Sequence, residues 1–461
     1  MILRSVDGII RMLDADYIEN DDIQKRVCGV CIDSRKVVEG NLYIPLKGAN
    51  NNGHEFVQQA IQKGAAATLW NKDEPFPPEN ITVILVEDTL KALQQLASVY
   101  RKQLSSMKVV GITGSNGKTS TKDILAGMLS QRYITQKTLG NYNNEIGVPL
   151  TLLSLSENTQ VAVIEMGMEN LNEIDFLTKM VCPDIAIITN VGTAHLENLE
   201  TQENIAKAKL EITHGLAPFG MLIYNGDQQL LRDAVTKEGI SGDIRIKTFG
   251  ESDDNDVRLT YVKQSEDGIT FGVNDEKTRF TMDMLGKHQA INAIGALIAA
   301  RALQLADMDI QFGLHTIEKT GMRNELMRVR KALILNDSYK SNPQSSVAAL
   351  DTMASFDIPY KIAVLADMLD LGGNSDLLHF QLGKQAADYR VAEILTYGEM
   401  GAYIAQGALD RNVEGLHVQH FADKAKLIAY LMPYRNKECM ILIKGSRSMK
   451  MDEVVDALLQ E

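Results

Sequence analysis

A glycine-rich segment, residues 111–123, combines the residue types that hold phosphate groups. It reads GITGSNGKTSTKD, and its loop closes with Gly117, Lys118 and Thr119. A lysine at this place supplies positive charge for the outer phosphates of a nucleotide, and the threonine hydroxyl can bind Mg²⁺. The standard Walker A spacing needs a glycine at position 112, where this chain has Ile112. The segment therefore predicts a nucleotide site with a variant spacing.

The surroundings of this segment favour phosphate binding over a chance glycine-rich turn. An apolar run of strand type, KVVGIT, leads into the segment, and a helical pattern follows it. Backbone N–H groups at such a helix start converge on one point, and the helix N-terminus adds positive potential. The glycines at 114 and 117 let a phosphate approach the backbone closely.

Two further polar side chains stand at the ends of predicted strands. Glu165 ends the run VAVIEMG, and His195 follows the run DIAIITNVG. Because the carboxyl ends of parallel strands share one edge of a sheet, both should lie where the phosphate loop opens. Mg²⁺ prefers oxygen ligands, so residue type alone favours Glu165 as a ligand and His195 as a surface or supporting residue. Lys209 lies in a helical pattern, where a lysine is normally a solvated charge.

An asparagine-rich loop, GNYNNEIGVPLTLL, begins at Gly140. The amides of Asn141, Asn143 and Asn144 could bind sugar, peptide or phosphate groups. The alternative is that these asparagines serve the geometry of a turn.

Length and charge limit the classes of function. A chain of 461 residues suggests about three domains. A net charge of −13 argues against a nucleic-acid-binding surface, which is normally basic. We see no secretory signal pattern and no apolar run near the ~20 residues of a membrane helix. We expect a cytoplasmic protein that binds small molecules, not nucleic acid or membrane, and a monomer, since heptads and a strong hydrophobic stripe are absent from the sequence.

Strand-like and helix-like runs alternate along the chain, which is typical of an α/β fold. Residues 1–100 predict a small α/β domain followed by a connecting helix. Residues 101–314 predict a largely parallel sheet with helices on its faces, and within them 257–283 alternate as an antiparallel extension would. Residues 315–461 predict a second doubly wound unit.

Segments along the whole chain resemble those of the Mur ligases, the ATP-dependent amide-forming enzymes of peptidoglycan synthesis. The loop TGSNGKT matches the family pattern T-G-[ST]-x-G-K-[ST]. The other matching segments are DSRKVVEGNLYIPLKG, NYNNEIGVPLTLL, EMGMENLNEI, PDIAIITNVGTAHLE, IAKAKLEI, GKHQAINAIGAL, NDSYKSNPQS, VLADMLDLG and ILIKGSRSMKMDEVV. The resemblance implies a small α/β amino-terminal domain for a UDP-sugar, a central P-loop ATPase domain with a parallel sheet, and a Rossmann-like carboxy-terminal domain.

The resemblance also implies a reaction and its partners. NYNNEIGVP and DMLDLG resemble the family members that join D-alanyl-D-alanine to UDP-N-acetylmuramoyl-tripeptide through an acyl phosphate formed with ATP. The third residue of the tripeptide, lysine or diaminopimelate, stays open. The alternatives are a diamino-acid-adding Mur ligase, a folylpolyglutamate synthase-like ligase, or a non-catalytic scaffold. The D-N-P-[RA] signature of the diamino-acid-adding enzyme does not occur in the sequence.

Residue by residue, the resemblance assigns a site. It gives catalytic roles to Lys118, His195 and Lys209. It implies that ATP is bound by Gly114, Ser115, Asn116, Gly117, Lys118, Thr119, Ser120, Asn292, Arg323, Asp337 and Asn342. It implies two Mg²⁺ ions on Thr119, Glu165, His195 and Lys209, the lysine having reacted with CO₂ to a carbamate. It implies substrate contacts from Ser34, Arg35, Lys47, Asn141, Asn143 and Asn144. Three residues depart from the family pattern, namely Asn52, Lys340 and Ala366.

Overall fold

The computed structural model describes residues 1–48, 51–240, 242–274 and 276–460. In that part of the chain, helices and sheets alternate to form an amino-terminal, a central and a carboxy-terminal α/β unit. None of the helices described there is both long and apolar enough to pass through a membrane. The boundaries at residues 100 and 314 stay predictions.

The amino-terminal unit is built on a mixed sheet. Its strands are β1 (Leu3–Ser5), β2 (Asp16–Ile18), β3 (Arg26–Cys28), β4 (Val30–Cys31), β5 (Leu42–Tyr43), β6 (Ala67–Asn71) and β7 (Thr82–Val86). Its helices are α1 (Val6–Leu13), α2 (Val57–Gln62) and α3 (Thr89–Gln103). The larger sheet has the order β2-β7-β6-β5-β4, with β2 antiparallel to β7, and β1 pairs separately with β3. Helix α3 begins where the Asp88 side chain accepts a hydrogen bond from the Lys91 amide.

The central unit is built on a long twisted sheet. Its strands are β8 (Lys108–Thr113), β9 (Thr135–Lys137), β10 (Val161–Glu165), β11 (Ile185–Ile188), β12 (Met221–Asn225), β13 (Arg245–Gly250), β14 (Val257–Ser265), β15 (Gly268–Val273) and β16 (Phe280–Met282). Its helices are α4 (Lys118–Leu129), α5 (Gly147–Ser154), α6 (Glu173–Val181), α7 (Leu196–Leu199), α8 (Gln202–Leu210), α9 (Gln229–Glu238), α10 (Lys287–Ala302) and α11 (Asp307–His315). The order is β16-β15-β14-β13-β12-β11-β8-β10-β9. Strands β9 to β14 pair in parallel, while β14, β15 and β16 pair antiparallel, which confirms the predicted extension.

Helix α10 supports the helix that follows the phosphate loop. Ala293, Ile294 and Leu297 of α10 are buried in the same apolar cluster as Ile124 and Leu125 of α4. The small side chains of α10 allow this close packing. The two helices therefore form one rigid support beneath the loop.

The carboxy-terminal unit is a second doubly wound sheet, as predicted. Its strands are β17 (Glu325–Val329), β18 (Ala332–Asp337), β19 (Lys361–Ala366), β20 (Glu393–Tyr397), β21 (His417–Phe421) and β22 (Met440–Lys444). Its helices are α12 (Pro343–Ala354), α13 (Ser375–Ala387), α14 (Gly401–Asp410), α15 (Lys424–Leu431) and α16 (Asp452–Leu459). The order is β17-β18-β22-β19-β20-β21, with β17 antiparallel to β18 and the other neighbours parallel. Separate apolar clusters cover its two faces.

A buried carboxylate holds the far end of this unit together. Glu393, 2% exposed, accepts hydrogen bonds from the hydroxyls of Tyr360 at 2.6 Å and Tyr430 at 2.7 Å, and from that of Tyr434. Burial opposes ionisation of Glu393, but these hydroxyl donors outweigh it and hold its pKa below the usual 4.5. The cluster lies away from the cavity described below and serves the stability of the unit.

Candidate active site

A cavity of about 1530 Å³ lies between the central and carboxy-terminal units and reaches Ile32 of the amino-terminal unit. Most of the predicted site residues line it. They are Ser115, Asn116, Gly117, Lys118, Thr119, Ser120, Asn141, Asn143, Asn144, Glu165, His195, Asn292, Arg323 and Asp337. The fold therefore gathers residues that are separated by more than two hundred positions into one space.

Sheet pairing explains why the central residues meet. Strand β8, which leads into the phosphate loop, lies between β10 and β11, and all three run parallel. Glu165 at the end of β10 pairs with Ile112, and Ile188 at the end of β11 pairs with Thr113. The loop, Glu165 and the segment leading to His195 consequently open at one edge, as the sequence predicted.

The phosphate loop requires glycine at two positions. Gly117 has a φ of +81°, and a Cβ atom there would lie 2.5 Å from Oδ1 of Asn292. A Cβ atom on Gly114 would lie 1.8 Å from Oγ1 of Thr189. Asn292, on α10, thus lies directly against the loop. Any larger residue at either glycine would displace the loop or its neighbours.

The helical end of the loop is the part that offers amides to a ligand. The N–H groups of Ser115 and Asn116 already donate to the backbone and side-chain oxygens of Asn190, at 2.9 and 2.8 Å. The first N–H groups of α4 follow them, and a helix start provides no internal acceptors for such groups. This arrangement points an unsatisfied, positively polarised helix end into the cavity.

Lys118 lies at the start of α4, and within the described stretches of the chain it forms no ion pair with a carboxylate. Its Nζ donates to the carbonyl oxygen of Gly114 at 2.6 Å. Burial and the nearby charge of Lys340 lower its pKa to about 8. An anion in the cavity would relieve both effects, so the side chain is suited to phosphate.

Glu165 and Thr119 form the oxygen-rich part of the site. The Glu165 carboxylate is 2% exposed and accepts from Oγ1 of Thr119 at 2.9 Å and from Nδ2 of Asn143 at 2.8 Å. Nη2 of Arg323 reaches the same threonine hydroxyl at 3.2 Å. A hydroxyl beside a carboxylate is a donor pair that suits Mg²⁺.

His195 sits where β11 gives way to α7, with a left-handed φ of +67°. Burial, followed by the charges of Lys340, Lys118 and Lys209, lowers its pKa to about 3. Nζ of Lys340 lies 3.4 Å from Nε2 of the imidazole. His195 is therefore neutral at physiological pH, and a neutral imidazole can offer a ring nitrogen to a cation.

Lys209 is buried, and the expectation of a solvated helical lysine is wrong. Lys209 lies on α8 and is 2% exposed. Burial, with the charges of Lys118 and Lys340, lowers its pKa well below 10.5. The apolar face of α8 packs inward, and the helical pattern alone gives no sign that this lysine lies on it.

The donor set tests whether Mg²⁺ would fit. Within the stretches the structure describes, no three His, Cys, Asp or Glu side chains cluster as a metal site. Thr119 and Glu165 fit one ion together with phosphate oxygens. His195 and Lys209 offer only nitrogen, so they fit a second ion once Lys209 carries a carboxylate group.

Residues of the carboxy-terminal unit close the other side of the cavity. Asn342 caps α12 by accepting from the Ser345 amide at 2.9 Å, and its Nδ2 donates to Oδ1 of Asn116 at 2.7 Å. Asp337, at the end of β18, accepts from Nζ of Lys444 at 2.6 Å. Asn342 thus joins the third unit directly to the phosphate loop.

Arg323 lies across the junction of the two units. Its guanidinium carbon stands 3.9 Å from the centre of the Tyr339 ring, and its Nη1 is buried without a hydrogen-bond partner. A buried donor without an acceptor is costly and marks a place for a ligand oxygen.

Sequence reasoning missed several members of the site. Asn190, which ties down the loop, and Lys444, which pairs with Asp337, were not singled out, nor was Tyr339 beneath Arg323. Lys444 ends a strand in the run ILIKGS, which is the signal that could have found it. Two of the residues that depart from the family pattern lie in different places. Lys340 lines the cavity, whereas Ala366 is buried at the end of β19.

The predicted amino-terminal substrate residues lie outside this cavity. Oγ of Ser34 donates to Oε1 of Gln59 at 2.7 Å. The Arg35 guanidinium forms a two-pronged pair with Asp33, and Nζ of Lys47 lies 3.0 Å from the Glu74 carboxylate. The structure does not bring these residues to the phosphate loop.

Both interpretations of the asparagine loop apply, and Asn144 serves local geometry while it also lines the cavity. Oδ1 of Asn144 accepts from the Gly147 amide at 2.9 Å, where α5 begins, so this residue serves local geometry. Asn143 instead reaches Glu165, and Asn141 lines the cavity.

Comparison with known proteins gives matches along the chain. Residues 26–101 match the family described as "Mur ligase family, catalytic domain", residues 112–300 "Mur ligase middle domain", and residues 322–447 "Mur ligase, glutamate ligase domain". A UDP-N-acetylmuramoyl-tripeptide--D-alanyl-D-alanine ligase from Bacillus subtilis (strain 168) is 42% identical, with 100% of this chain and 99% of that protein aligned.

Two solved structures share the fold of the whole chain. MurF from Acinetobacter baumannii superposes with a TM-score of 0.89 at 27% identity, covering 100% of both chains. MurF ligase from Thermotoga maritima in complex with ADP gives a TM-score of 0.80 at 26% identity, covering 93% of this chain and 96% of that one. The three-unit architecture is the one found in these structures.

Proposed function

The chain belongs to the Mur ligase family, and from this membership we propose its reaction. It is an ATP-dependent ligase that joins D-alanyl-D-alanine to UDP-N-acetylmuramoyl-tripeptide in peptidoglycan precursor synthesis, with ADP and phosphate as the other products. The full-length similarity to a Bacillus subtilis ligase of that name supports the proposal. The observation that carries it is the single cavity in which the phosphate loop, Glu165 and Arg323 meet.

ATP would bind with its phosphates at the helical end of the loop. Lys118 and the first amides of α4 face that place, and the ADP complex of the Thermotoga maritima relative supports nucleotide binding. Arg323 would satisfy its buried Nη1 on a phosphate oxygen. The proposed ATP-binding residues are Gly114, Ser115, Asn116, Gly117, Lys118, Thr119, Ser120, Asn292, Arg323, Asp337 and Asn342.

Four side chains would hold the metal ions that the family implies. Thr119 and Glu165 would hold one Mg²⁺, and His195 with carbamylated Lys209 a second. When bound, the ions neutralise negative charge that builds up on the phosphate being transferred.

The environment of Lys209 favours its carbamylation. A neutral amine is the form that attacks CO₂, and burial favours this form by lowering the pKa of the Lys209 amine. The nitrogen forms a bond to the carbon of CO₂ and loses one proton, which leaves an anionic carbamate. Lys118 and Lys340, which repel a Lys209 ammonium, would attract that anion.

The chemistry proceeds in two steps. A carboxylate resists attack by an amine because oxide is a poor leaving group, so the substrate carboxylate first attacks the γ-phosphorus and ADP leaves. Lys118 and the α4 amides stabilise the charge on the transferred group. The amine of D-alanyl-D-alanine then attacks the acyl carbon, and phosphate departs from the tetrahedral intermediate. The walls from the two units would have to exclude water during the reaction, because water would otherwise hydrolyse the acyl phosphate.

The remaining predictions form part of the same proposal. The amino-terminal unit, residues 1–100, would hold the UDP-sugar through Ser34, Arg35 and Lys47. The asparagines Asn141, Asn143 and Asn144 would face the peptide end of that substrate. Residues 101–314 would bind ATP, and 315–461 would complete the site. One chain supplies the proposed residues of the site, so a monomer would suffice, and we propose that it acts in the cytoplasm.

The test is phosphate release by the full-length protein. ATP, Mg²⁺ and D-alanyl-D-alanine are supplied with UDP-N-acetylmuramoyl-tripeptide in its lysine or its diaminopimelate form. Release that requires both substrates, with the pentapeptide product seen by mass, is the expected result and identifies the third residue. Lys118→Ala should abolish release, whereas Lys102→Ala, at an exposed lysine on α3, should not.

Two outcomes would contradict the proposal. Phosphate release that ignores the sugar substrate would identify an uncoupled ATPase. A folded protein that binds ATP yet uses neither tripeptide would point to another amide ligase or to a scaffold.

A further inference from the structure

We propose that Asp123 is a positioning residue that acts through Thr320 on Arg323. Thr320 and Arg323 lie in a linker, residues 316–324, that joins α11 of the central unit to β17 of the carboxy-terminal unit. Asp123 fixes this linker on helix α4, so that Arg323 reaches the phosphate loop. The inference rests on the proposed function because it assigns Arg323 to ATP.

Asp123 is a buried carboxylate whose two oxygens are both engaged. Its side chain is 3% exposed. Oδ2 accepts from the amide of Thr320 at 3.0 Å and from its hydroxyl at 2.8 Å. Oδ1 accepts from Nζ of Lys137 at 2.9 Å. Two donors from one threonine fix both the backbone and the side chain of the linker at that point.

The first half of the linker belongs to the central unit. Nζ of Lys137 also donates to the carbonyl oxygen of Glu318 at 2.9 Å, and Nε2 of Gln131 donates to Oγ1 of Thr316 at 3.0 Å. A Cβ atom on Gly127 of α4 would lie 3.2 Å from Cγ1 of Ile317, so the linker packs closely on that helix. Residues 316–320 are therefore anchored.

The second half of the linker is held differently. The nearest atom to a Cβ built on Gly321 is Oε2 of Glu325 at 3.8 Å, an ordinary contact distance, so Gly321 is less tightly packed than Gly127. Met322 and Asn324, on either side of Arg323, have left-handed φ values of +63° and +47°. Such conformations persist in residues other than glycine only when the surroundings impose them. The carboxy-terminal unit holds this turn, because the Met322 amide donates to Oε2 of Glu325 at 3.2 Å and the Asn324 amide donates to Oδ1 of Asp337 at 3.3 Å. Thr320 holds its other end on the central unit.

Helix α4 consequently holds both the anchor of the linker, Asp123, and the residue that Arg323 contacts, Thr119. The start of α4 faces the phosphate site, and Asp123 lies five residues further on, about 7.5 Å along the axis. Arg323, three residues beyond the anchor, returns to Oγ1 of Thr119 at 3.2 Å. Loss of the anchor would let the turn relax and carry the guanidinium away from the phosphates.

The test is a double-mutant cycle on binding of a non-hydrolysable ATP analogue. Thr320→Val removes the hydroxyl and keeps the shape, and Thr320→Ser is its matched control. We expect Thr320→Val to weaken binding about three- to tenfold, the range for one lost hydrogen bond, and Thr320→Ser to change it less than twofold. In an Arg323→Ala background, Thr320→Val should have no further effect, because the two residues act as one unit. Asp123→Asn provides a second route to the same loss.

The cycle separates the inference from the proposed function. Equal weakening by Thr320→Val with and without Arg323 would overturn the inference, and so would unchanged binding. A lower unfolding temperature with unchanged binding would show a purely structural contact and overturn it too. Failure of the unaltered protein to bind the analogue would instead contradict the proposed function.

Discussion

Lys209→Met separates a functional role of the buried lysine from a structural one. Lys209 is 2% exposed, and burial with the nearby charges of Lys118 and Lys340 lowers its pKa well below 10.5. A lysine whose folded-state pKa is lowered costs stability at pH values below its unfolded pKa, because folding disfavours the ammonium form. Methionine has similar length and no such cost, so Lys209→Met should raise the free energy of unfolding by about 1–3 kcal/mol.

Activity should respond in the opposite direction. Without the lysine no carbamate forms, and loss of one preorganised electrostatic contact costs about 10²–10³-fold in kcat. The variant should therefore be more stable but nearly inactive.

The assay combines thermal unfolding with phosphate release. Unfolding is compared in CO₂-depleted buffer, where the unaltered lysine is an amine, and the unfolding temperature should rise by roughly 2 °C or more. Lys207→Met, at an exposed lysine on the same helix, is the control and should change neither quantity. Isotope-labelled CO₂ should give a carbamate signal by NMR in the unaltered protein only. Full activity in Lys209→Met, or loss of activity through loss of stability, would refute the reasoning.

Three further predictions test separate parts of the structure. Glu393→Gln should lower the free energy of unfolding in urea by about 1.5–3 kcal/mol, because the tyrosine hydroxyls lose a charged acceptor. The folded-state pKa of Glu393 lies below 4.5, so its ionised carboxylate stabilises the fold above that pH, and this stabilisation is lost as pH falls through the folded-state pKa. The free energy of unfolding of Glu393→Gln should not show this pH dependence. Identical acid-unfolding profiles for the two proteins would contradict the account. Lys340→Asn should raise the pKa of His195 above about 3 in an NMR titration, while burial keeps it under 6.5, and an unchanged pKa would show that the Lys340 charge is not felt there. Gly117→Ala should weaken ATP-analogue binding about five- to thirtyfold, since a left-handed residue other than glycine costs about 1–2 kcal/mol; calorimetry with an unchanged affinity would disprove the loop geometry.

Local patterns and the succession of strands along the chain were enough to predict the part of the site that lies on the central unit. The phosphate loop, Glu165 and His195 each follow a strand, and parallel neighbours bring strand ends to one edge. The antiparallel extension at residues 257–283 could also be predicted, because alternation of polar and apolar residues indicates a half-exposed strand.

The rest of the site depends on packing between distant segments, which local patterns do not report. Burial of Lys209 follows from how α8 lies on its neighbours, and only the family resemblance singled this lysine out. Arg323 meets Thr119 across 204 positions, and Asp123 meets Thr320 across 197. No periodicity in the sequence encodes such pairs, because they arise from the docking of one unit on another.

The central claim is that the protein uses ATP, bound in this one cavity, to convert a substrate carboxylate into an acyl phosphate. The most direct measurement labels the reacting carboxyl group of UDP-N-acetylmuramoyl-tripeptide with a heavy oxygen isotope and follows that label through turnover with ATP, Mg²⁺ and D-alanyl-D-alanine. The oxygen that bridges carbon and phosphorus stays with phosphorus when the amine attacks, so released phosphate should carry one labelled oxygen by mass spectrometry. Phosphate that is free of label, alongside normal formation of the pentapeptide product, would contradict the account.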